Sequence, residues 1–198
     1  MNFMGNNLIK KFQEKRSLYR LKSQDRETFI KVYDDHSAEL YRFIYFKVGN
    51  REEARDLASM VFLKAWNHVQ AKNLVEAKTL RALLYKIARN AIIDYYRQRA
   101  ARPAVSLDDP ESGALAIAAD LDLDADADKQ ADIRLLSEKL PRLKDEYREA
   151  LILRFINELS LEEVADIMGK SRGNVRVIIH RAVSALRELM GDNDGIQK

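Results

Sequence analysis

Apolar residues recur at spacings of three and four along most of this chain. Ala54, Leu57, Ala58, Val61, Phe62, Ala65, Trp66 and Val69 keep that rhythm without a miss and predict a helix with one face to bury. Before it, Phe29, Ile30, Val32, Tyr33, Leu40, Phe43, Ile44 and Val48 form another helical stripe, closed by Gly49 and Asn50. After it, past a polar loop at Gln70 to Lys78, Leu80, Leu83, Leu84, Ile87, Ala88, Ala91, Ile92 and Tyr95 mark the core face of a third helix. Met60 and Leu63 fall off the second stripe. They either pack under a neighbouring segment or stand exposed beside Arg55, Asp56 and Lys64, where an apolar pair would suit a protein partner.

A different pattern occupies Ser160 to Leu189. Ser160 followed three residues later by Glu163 is a capping box that starts a helix. Leu161, Val164, Ala165 and Met168 give that helix one apolar face, and Gly169 ends it, because glycine takes the left-handed conformation at little cost. Ser171 caps the next helix, whose expected apolar set is Val175, Ile179, Ala182 and Leu186. Ala165 is small where two helices joined by so short a turn must cross closely. The opposite side offers Arg172, Asn174, Arg176, His180 and Arg181, donors suited to phosphates and to the edges of guanine and adenine. This reads as a helix-turn-helix; the plainer alternative is a helical hairpin with a solvated charged face.

Composition narrows the class. The 198 residues suffice for one or two domains, and with 7 glycines and 3 prolines the chain favours helices over turn-rich sheets. No run of about 18 apolar residues predicts a membrane span. No secretory signal is legible at the N-terminus either. The absence of cysteine excludes disulfides, thiolate metal sites and cysteine nucleophiles, which fits a cytoplasmic protein.

The net charge of +3 hides a segregation along the chain. Lys10, Lys11, Lys15, Arg16, Arg20 and Lys22 face only Glu14 in a basic N-terminal extension, which suits DNA, an acidic membrane surface, a regulatory partner or simply a solvated tail. From Ala100 to Asp132, Arg102 and Lys129 are outweighed by Asp108, Asp109, Glu111, Asp120, Asp122, Asp124, Asp126, Asp128 and Asp132. This Ala/Asp-rich tract reads as a linker. Asp120, Asp122 and Asp124 alternate as at the start of a calcium loop, but Ala125 and Ala131 stand where such a loop needs glycine and glutamate. A further option is that the tract mimics nucleic acid in a basic channel of a partner. The predicted fold is therefore all-α: two helical domains joined by a flexible acidic linker, the C-terminal one containing the helix-turn-helix. The expected boundaries are 1–23 for the extension, 24–99, 100–131 for the linker, 132–190, and 191–198 for a tail.

The third helix presents Arg81, Lys86, Arg89, Asn90, Asp94, Arg97 and Arg99 with Tyr85 and Tyr96 away from its core face. Cations that track phosphates beside rings that stack on bases fit single-stranded or melted DNA, although an ordinary basic helix face also fits.

Three strings in this order resemble the extracytoplasmic-function sigma factors, the small promoter-recognition subunits of bacterial RNA polymerase. DLASMVFLKAW at Asp56 to Trp66 is similar to the family's polymerase-docking helix. LRALLYKIARNAIIDYYRQR at Leu80 to Arg99 is similar to its promoter-melting helix, and Leu140 to Leu189 to its fourth region. The resemblance implies that Asp56, Leu57, Ser59, Met60, Leu63 and Lys64 meet core polymerase, through whichever of them are exposed. It implies that Asn73, Lys78, Arg81, Tyr85, Lys86, Arg89, Asn90, Asp94 and Arg97 meet the melted minus-ten element, with Asn90 inspecting a flipped base. It also implies that Arg172, Asn174, Arg176, Val177, His180 and Arg181 meet the duplex minus-thirty-five element. An anti-sigma factor or other regulator is a further implied partner, and no cofactor is implied.

The chain departs from the family pattern at Met60, where a polar or acidic residue is usual, and at Leu80 and Leu83, where aromatics are common. It departs again at Val177 and Ile178, which replace a frequent serine and arginine and can instead touch a thymine methyl. Two other classes stay open on the residues. One is a helix-turn-helix repressor or activator without sigma activity. The other is a metal-dependent nucleic-acid enzyme, for which His36, His68 and His180 are too scattered to form a ligand motif.

Overall fold

A computed structural model describes residues 25–70, 79–101, 135, 136 and 138–191, and among them there are helices and turns and no strand. The basic extension, the polar loop after Gln70 with Asn73 and Lys78, and the acidic tract with its calcium-like alternation lie outside the described residues. The chain divides into two compact units, Met1–Ile44 with Ala54–Arg102 and Tyr45–Glu53 with Pro103–Lys198.

Three helices supply the first unit: α1 (Arg26–Val48) as far as Ile44, α2 (Arg51–Gln70) from Ala54 onward, and α3 (Leu80–Ala101). Local chemistry sets their ends. Asp25 accepts a hydrogen bond from the Glu27 amide at 3.2 Å before α1, and Gly49, with φ +76°, ends it. Space around Gly49 is open, so glycine is there for its backbone and not for clearance. Asn50 caps α2 by accepting from the Glu53 amide at 3.0 Å, and Thr79 caps α3 through the Ala82 amide at 3.1 Å.

Rings lock these helices together. Phe29 meets Trp66 and Tyr33 meets Phe62, each pair 4.8 Å between centres, while Phe43 meets Tyr85 edge-on at 5.1 Å. Such pairs contribute about 0.5–1.5 kcal/mol each beyond the area they bury. The expected stripe of α1 is partly corrected: Ile30 and Tyr33 are exposed. Ile30 sits roughly 100° round the helix from Phe29, outside the buried arc, and Tyr33 is exposed while its ring still meets Phe62. Met60 and Leu63 are exposed, which settles the choice left by their spacing.

Arg81 was expected on the DNA-facing surface, and the structure corrects this. It is buried, donating from Nε to Glu39 Oε1 at 3.0 Å and pairing a second time with Oε2. His36 donates from Nδ1 to the same Oε1 at 2.7 Å. A carboxylate on α1 is what draws the guanidinium inward, since a buried charge needs a partner. Tyr85, expected on the same surface, is fully buried against Phe43.

In the second unit a 3-10 turn, Leu140–Arg142, precedes the short helix α4 (Asp145–Leu151), which runs into a π-helical turn at Ile152–Ile156. Helices α5 (Leu161–Met168) and α6 (Arg172–Met190) follow, and α4 and α5 both lie against α6. Leu151, Ile152, Leu153, Leu159, Val164, Ile167, Val175 and Ala182 fill the core. The capping box forms as expected: Ser160 Oγ accepts from the Glu163 amide at 3.3 Å, and Glu163 accepts from the Ser160 amide at 2.8 Å. Gly169 adopts φ +66°, and Ser171 Oγ accepts from the Asn174 amide at 3.2 Å to start α6.

Burial alone would raise the Glu39 pKa, but the His36 hydrogen bond and the Arg81 charge together hold it below the ordinary glutamate value. Because folding lowers this pKa, the contribution to stability is fully present above about pH 4.3 and is lost as pH falls through the folded value. Arg81→Ala is expected to destabilise by about 3 kcal/mol at neutral pH, near the low end for breaking a buried pair. Urea unfolding curves at pH 7 and pH 4 check this, and the deficit should shrink at the lower pH.

Candidate nucleic-acid and docking surfaces

Helix α6 buries Val175, Ile178 and Ala182 and half-buries Ile179 and Leu186. That arc fixes what remains outside. Arg172, Asn174, Arg176, Val177, His180 and Arg181 are all exposed, so the structure leaves every expected minus-thirty-five residue on the solvent side of one helix. Ile178 is the exception to the looser expectation that either apolar replacement faces outward. It belongs to the core, and Val177 alone is presented, 48% exposed. Arg172 reaches Glu162 on α5 at 3.9 Å, a solvated pair that holds the guanidinium only weakly.

Helix α3 has a buried side made by Leu80, Arg81, Leu83, Leu84, Tyr85, Ala88, Ala91 and Ile92. The face left over is narrower than the sequence suggests. Asn90, Asp94 and Arg97 are exposed, and Lys86 and Arg89 are half-buried. Lys86, Asn90, Ile93 and Arg97 fall three and four residues apart and so form one line. Ile93 was not singled out from the sequence, yet it is 45% exposed within that line. Tyr96 is also exposed, edge-on to Tyr95 at 5.3 Å, while Tyr95 accepts a hydrogen bond from Arg99 at 2.9 Å. Cationic and amide groups on one line can hold phosphates and base edges, and the exposed Tyr96 ring can stack on an unpaired base.

On α2 the expected docking residues Asp56, Ser59, Met60, Leu63 and Lys64 are all exposed, again three and four apart. Leu57, expected among the docking residues, is buried and faces the other way, so it supports the helix and cannot meet a partner. Leu63 is 62% exposed, the most of any large apolar side chain among the described residues. An aromatic that sequence reasoning missed is Phe155, also largely exposed, on the π-helical turn. The wider turn rotates Phe155 away from the core that Ile152 and Leu153 enter, a register shift invisible to a 3.6-residue period.

Among the described residues no three His, Cys, Asp or Glu side chains gather as a metal site would require, and no helix is long and apolar enough to cross a membrane.

Residues 32–102 match the sigma-70 region 2 family and residues 140–188 match sigma-70 region 4. Over 185 residues the chain is 30% identical to the ECF RNA polymerase sigma factor SigW of Bacillus subtilis, covering 90% of this chain and 97% of that protein. It is 30% identical over 156 residues to the ECF RNA polymerase sigma factor SigL of Mycobacterium tuberculosis, covering 79% and 85%. Its fold is similar to that of CnrH in complex with the cytosolic domain of CnrY, with TM-score 0.66, 18% identity, and 91% and 99% of the two chains covered. The sigma factor RpoE of Bartonella quintana, solved with the anti-sigma factor NepR, gives TM-score 0.62 at 22% identity over 83% and 98%.

Exposed and buried members of each face should separate cleanly in unfolding experiments. Leu63→Ser is expected to change stability by less than about 0.5 kcal/mol, as surface substitutions do. Tyr85→Ala, which empties a buried ring site, is expected to cost about 3–5 kcal/mol. Denaturant midpoints of the two variants check the assignment.

Proposed function

The chain belongs to the extracytoplasmic-function sigma factors, and from that membership we propose how its exposed faces divide the work of directing transcription to promoters. The observation that supports the division is the geometry of the leftovers. Each matched region has a core that uses up one side of its helices and leaves a separate face of distinct chemistry outside.

In this reading α6 enters the major groove of the minus-thirty-five element as duplex. Arg172, Arg176 and Arg181 neutralise phosphates or approach guanine, and Asn174 and His180 reach base edges. Helix α3 holds the minus-ten element as melted strand, with Asn90 hydrogen-bonding a base that has left the stack. Lys86, Arg89 and Arg97 follow the phosphates, and Asp94 lies beside them. Unstacking a base costs a few kcal/mol, so capture and local melting become a single event. Asn73 and Lys78 would complete that pocket from the loop before α3. Arg81 and Tyr85 act from inside by holding α3 in place.

Met60 and Leu63, with Asp56, Ser59 and Lys64 around them, dock on core polymerase. An anti-sigma factor that covers this docking face keeps the chain inactive until it is needed; the similar sigma factor RpoE is found in complex with an anti-sigma factor, NepR. The polymerase supplies the phosphodiester chemistry and its metal, and the chain acts in the cytoplasm without a catalytic residue or cofactor of its own. The competing reading, a helix-turn-helix repressor, gives Met60 and Leu63 no task.

Run-off transcription with purified core polymerase tests the whole reading, since a repressor cannot redirect polymerase to a new start. Leu63→Glu is expected to weaken the affinity for core polymerase about tenfold, equivalent to about 1.4 kcal/mol. Asn90→Ala is expected to lower initiation about tenfold at promoters carrying the preferred downstream base, while binding to upstream duplex stays unchanged. Equal loss in both assays would remove Asn90 from the downstream contact.

A further inference from the structure

Val177 and Gly173 are two residues of α6 whose presence the fold does not explain. A branched aliphatic is a mediocre helix former, and one left 48% exposed gains little by packing. The helix already sends Ile178 and Ile179 towards the core side. Glycine is the poorest helix residue short of proline. At position 173 it has no positive φ to justify it, and an added Cβ would meet nothing nearer than Ser171 Oγ at 4.0 Å. The chain itself would accept alanine at both positions.

Their placement supplies the missing reason. They lie four residues apart, so they share one line along the outer face of α6. Arg172, Arg176, His180 and Arg181 surround that line and are all exposed. Cations around an apolar spot match a groove whose walls are phosphates and whose floor carries methyl groups. In the major groove that methyl is the C5 substituent of thymine, the one apolar mark by which a base pair announces itself there.

We infer that Val177 is a specificity residue that reads the 5-methyl group of a thymine in the upstream element, with Gly173 clearing the approach one turn earlier. The inference rests on the proposed seat of α6 in the major groove. It adds that one base pair is recognised by apolar contact and not by a hydroxyl or guanidinium. A serine at 177 would offer hydrogen bonds to several bases. Valine offers none, and so it favours thymine over any base that lacks the methyl. Ile178, which is buried, takes no part.

Replacing thymine by deoxyuridine removes only the methyl group, which makes the test specific. Holoenzyme assembled from core polymerase and the full chain selects its preferred upstream duplex from a randomised pool. Each thymine of that element is then exchanged for deoxyuridine, and affinity is measured again. The wild-type chain is expected to lose about fourfold at one thymine, the worth of one buried methyl. Val177→Ala should bind the thymine duplex about as weakly as the wild type binds the deoxyuridine one, with no further loss on exchange. Gly173→Ala should weaken both duplexes alike. Neither result can come from melting of α6, because alanine raises helix propensity at both positions.

A selected element with no methyl-sensitive thymine, or a Val177→Ala variant that keeps the full penalty, overturns the assignment of Val177 while the seat of α6 stands. Unchanged affinity in Gly173→Ala removes the clearance role. Holoenzyme that selects no upstream sequence at all overturns the seat of α6 and this inference with it.

Discussion

The edge-on contact of Phe43 with Tyr85, 5.1 Å between ring centres, ties α1 to α3 and decides how α3 is turned about its own axis. With Tyr85 fully buried, the residues one turn away on the same side, Arg81 and Ala88, must also point inward. The ion pair of Arg81 with Glu39 makes that orientation tolerable for a charge. The outer face of α3 then follows by subtraction: Lys86, Asn90, Ile93 and Arg97 have no inward position left. The face proposed to meet nucleic acid is in this way positioned by a contact made on another side of the helix.

The same logic holds in the second unit with different parts. The left-handed Gly169 and the Ser171 cap set the start of α6, and Val175, Ile178 and Ala182 set its rotation. Successive residues of a helix differ by about 100°. Burying Ile178 therefore forces Val177 outward, and two adjacent aliphatic residues acquire unrelated roles. A rigid seat of this kind suits recognition, because a side chain that reads a base must be held by packing and not by its own flexibility.

How much of this could be read from the chain depends on the range of the interaction. Capping at Ser160 and Ser171 and the glycine turns at Gly49 and Gly169 follow from residues within one or two turns, and the structure agrees with them; for Met60 and Leu63 the spacing left packing and exposure both open, and the structure shows exposure. The inward positions of Arg81 and Tyr85 do not follow from such local residues. They depend on Glu39 and Phe43, some forty positions earlier, and a periodicity rule that allots each helix one partner cannot anticipate an arc widened by packing on several sides. Phe155 and Ile178 were missed for a related reason. A π-helical turn shifts register, and two neighbouring helices widen the buried arc of α6, so a strict three-and-four pattern assigned Ile179 to the centre of the core in place of Ile178. The motifs common to the family carried the remaining functional assignments, which no local physics of these segments would have supplied.

An apolar reader at position 177 also bears on where specificity resides. A site built around hydrogen bonds rejects the wrong partner strongly, because buried donors are left unpaired, whereas a methyl contact discriminates by only a small factor. Where the arginines around Val177 meet phosphates they add affinity that does not depend on sequence. On the proposed reading, then, the methyl contact itself adds only moderate selectivity to the hydrogen bonds that Asn174 and His180 offer. Further stringency comes from the melted strand, where a base must both leave its stack and satisfy the amide of Asn90. Selectivity placed at melting has a physical advantage, because the cost of unstacking is incurred whether or not the base is correct and only the correct base offsets it. A duplex held at the wrong place then stays closed, and any looseness in upstream reading does little harm.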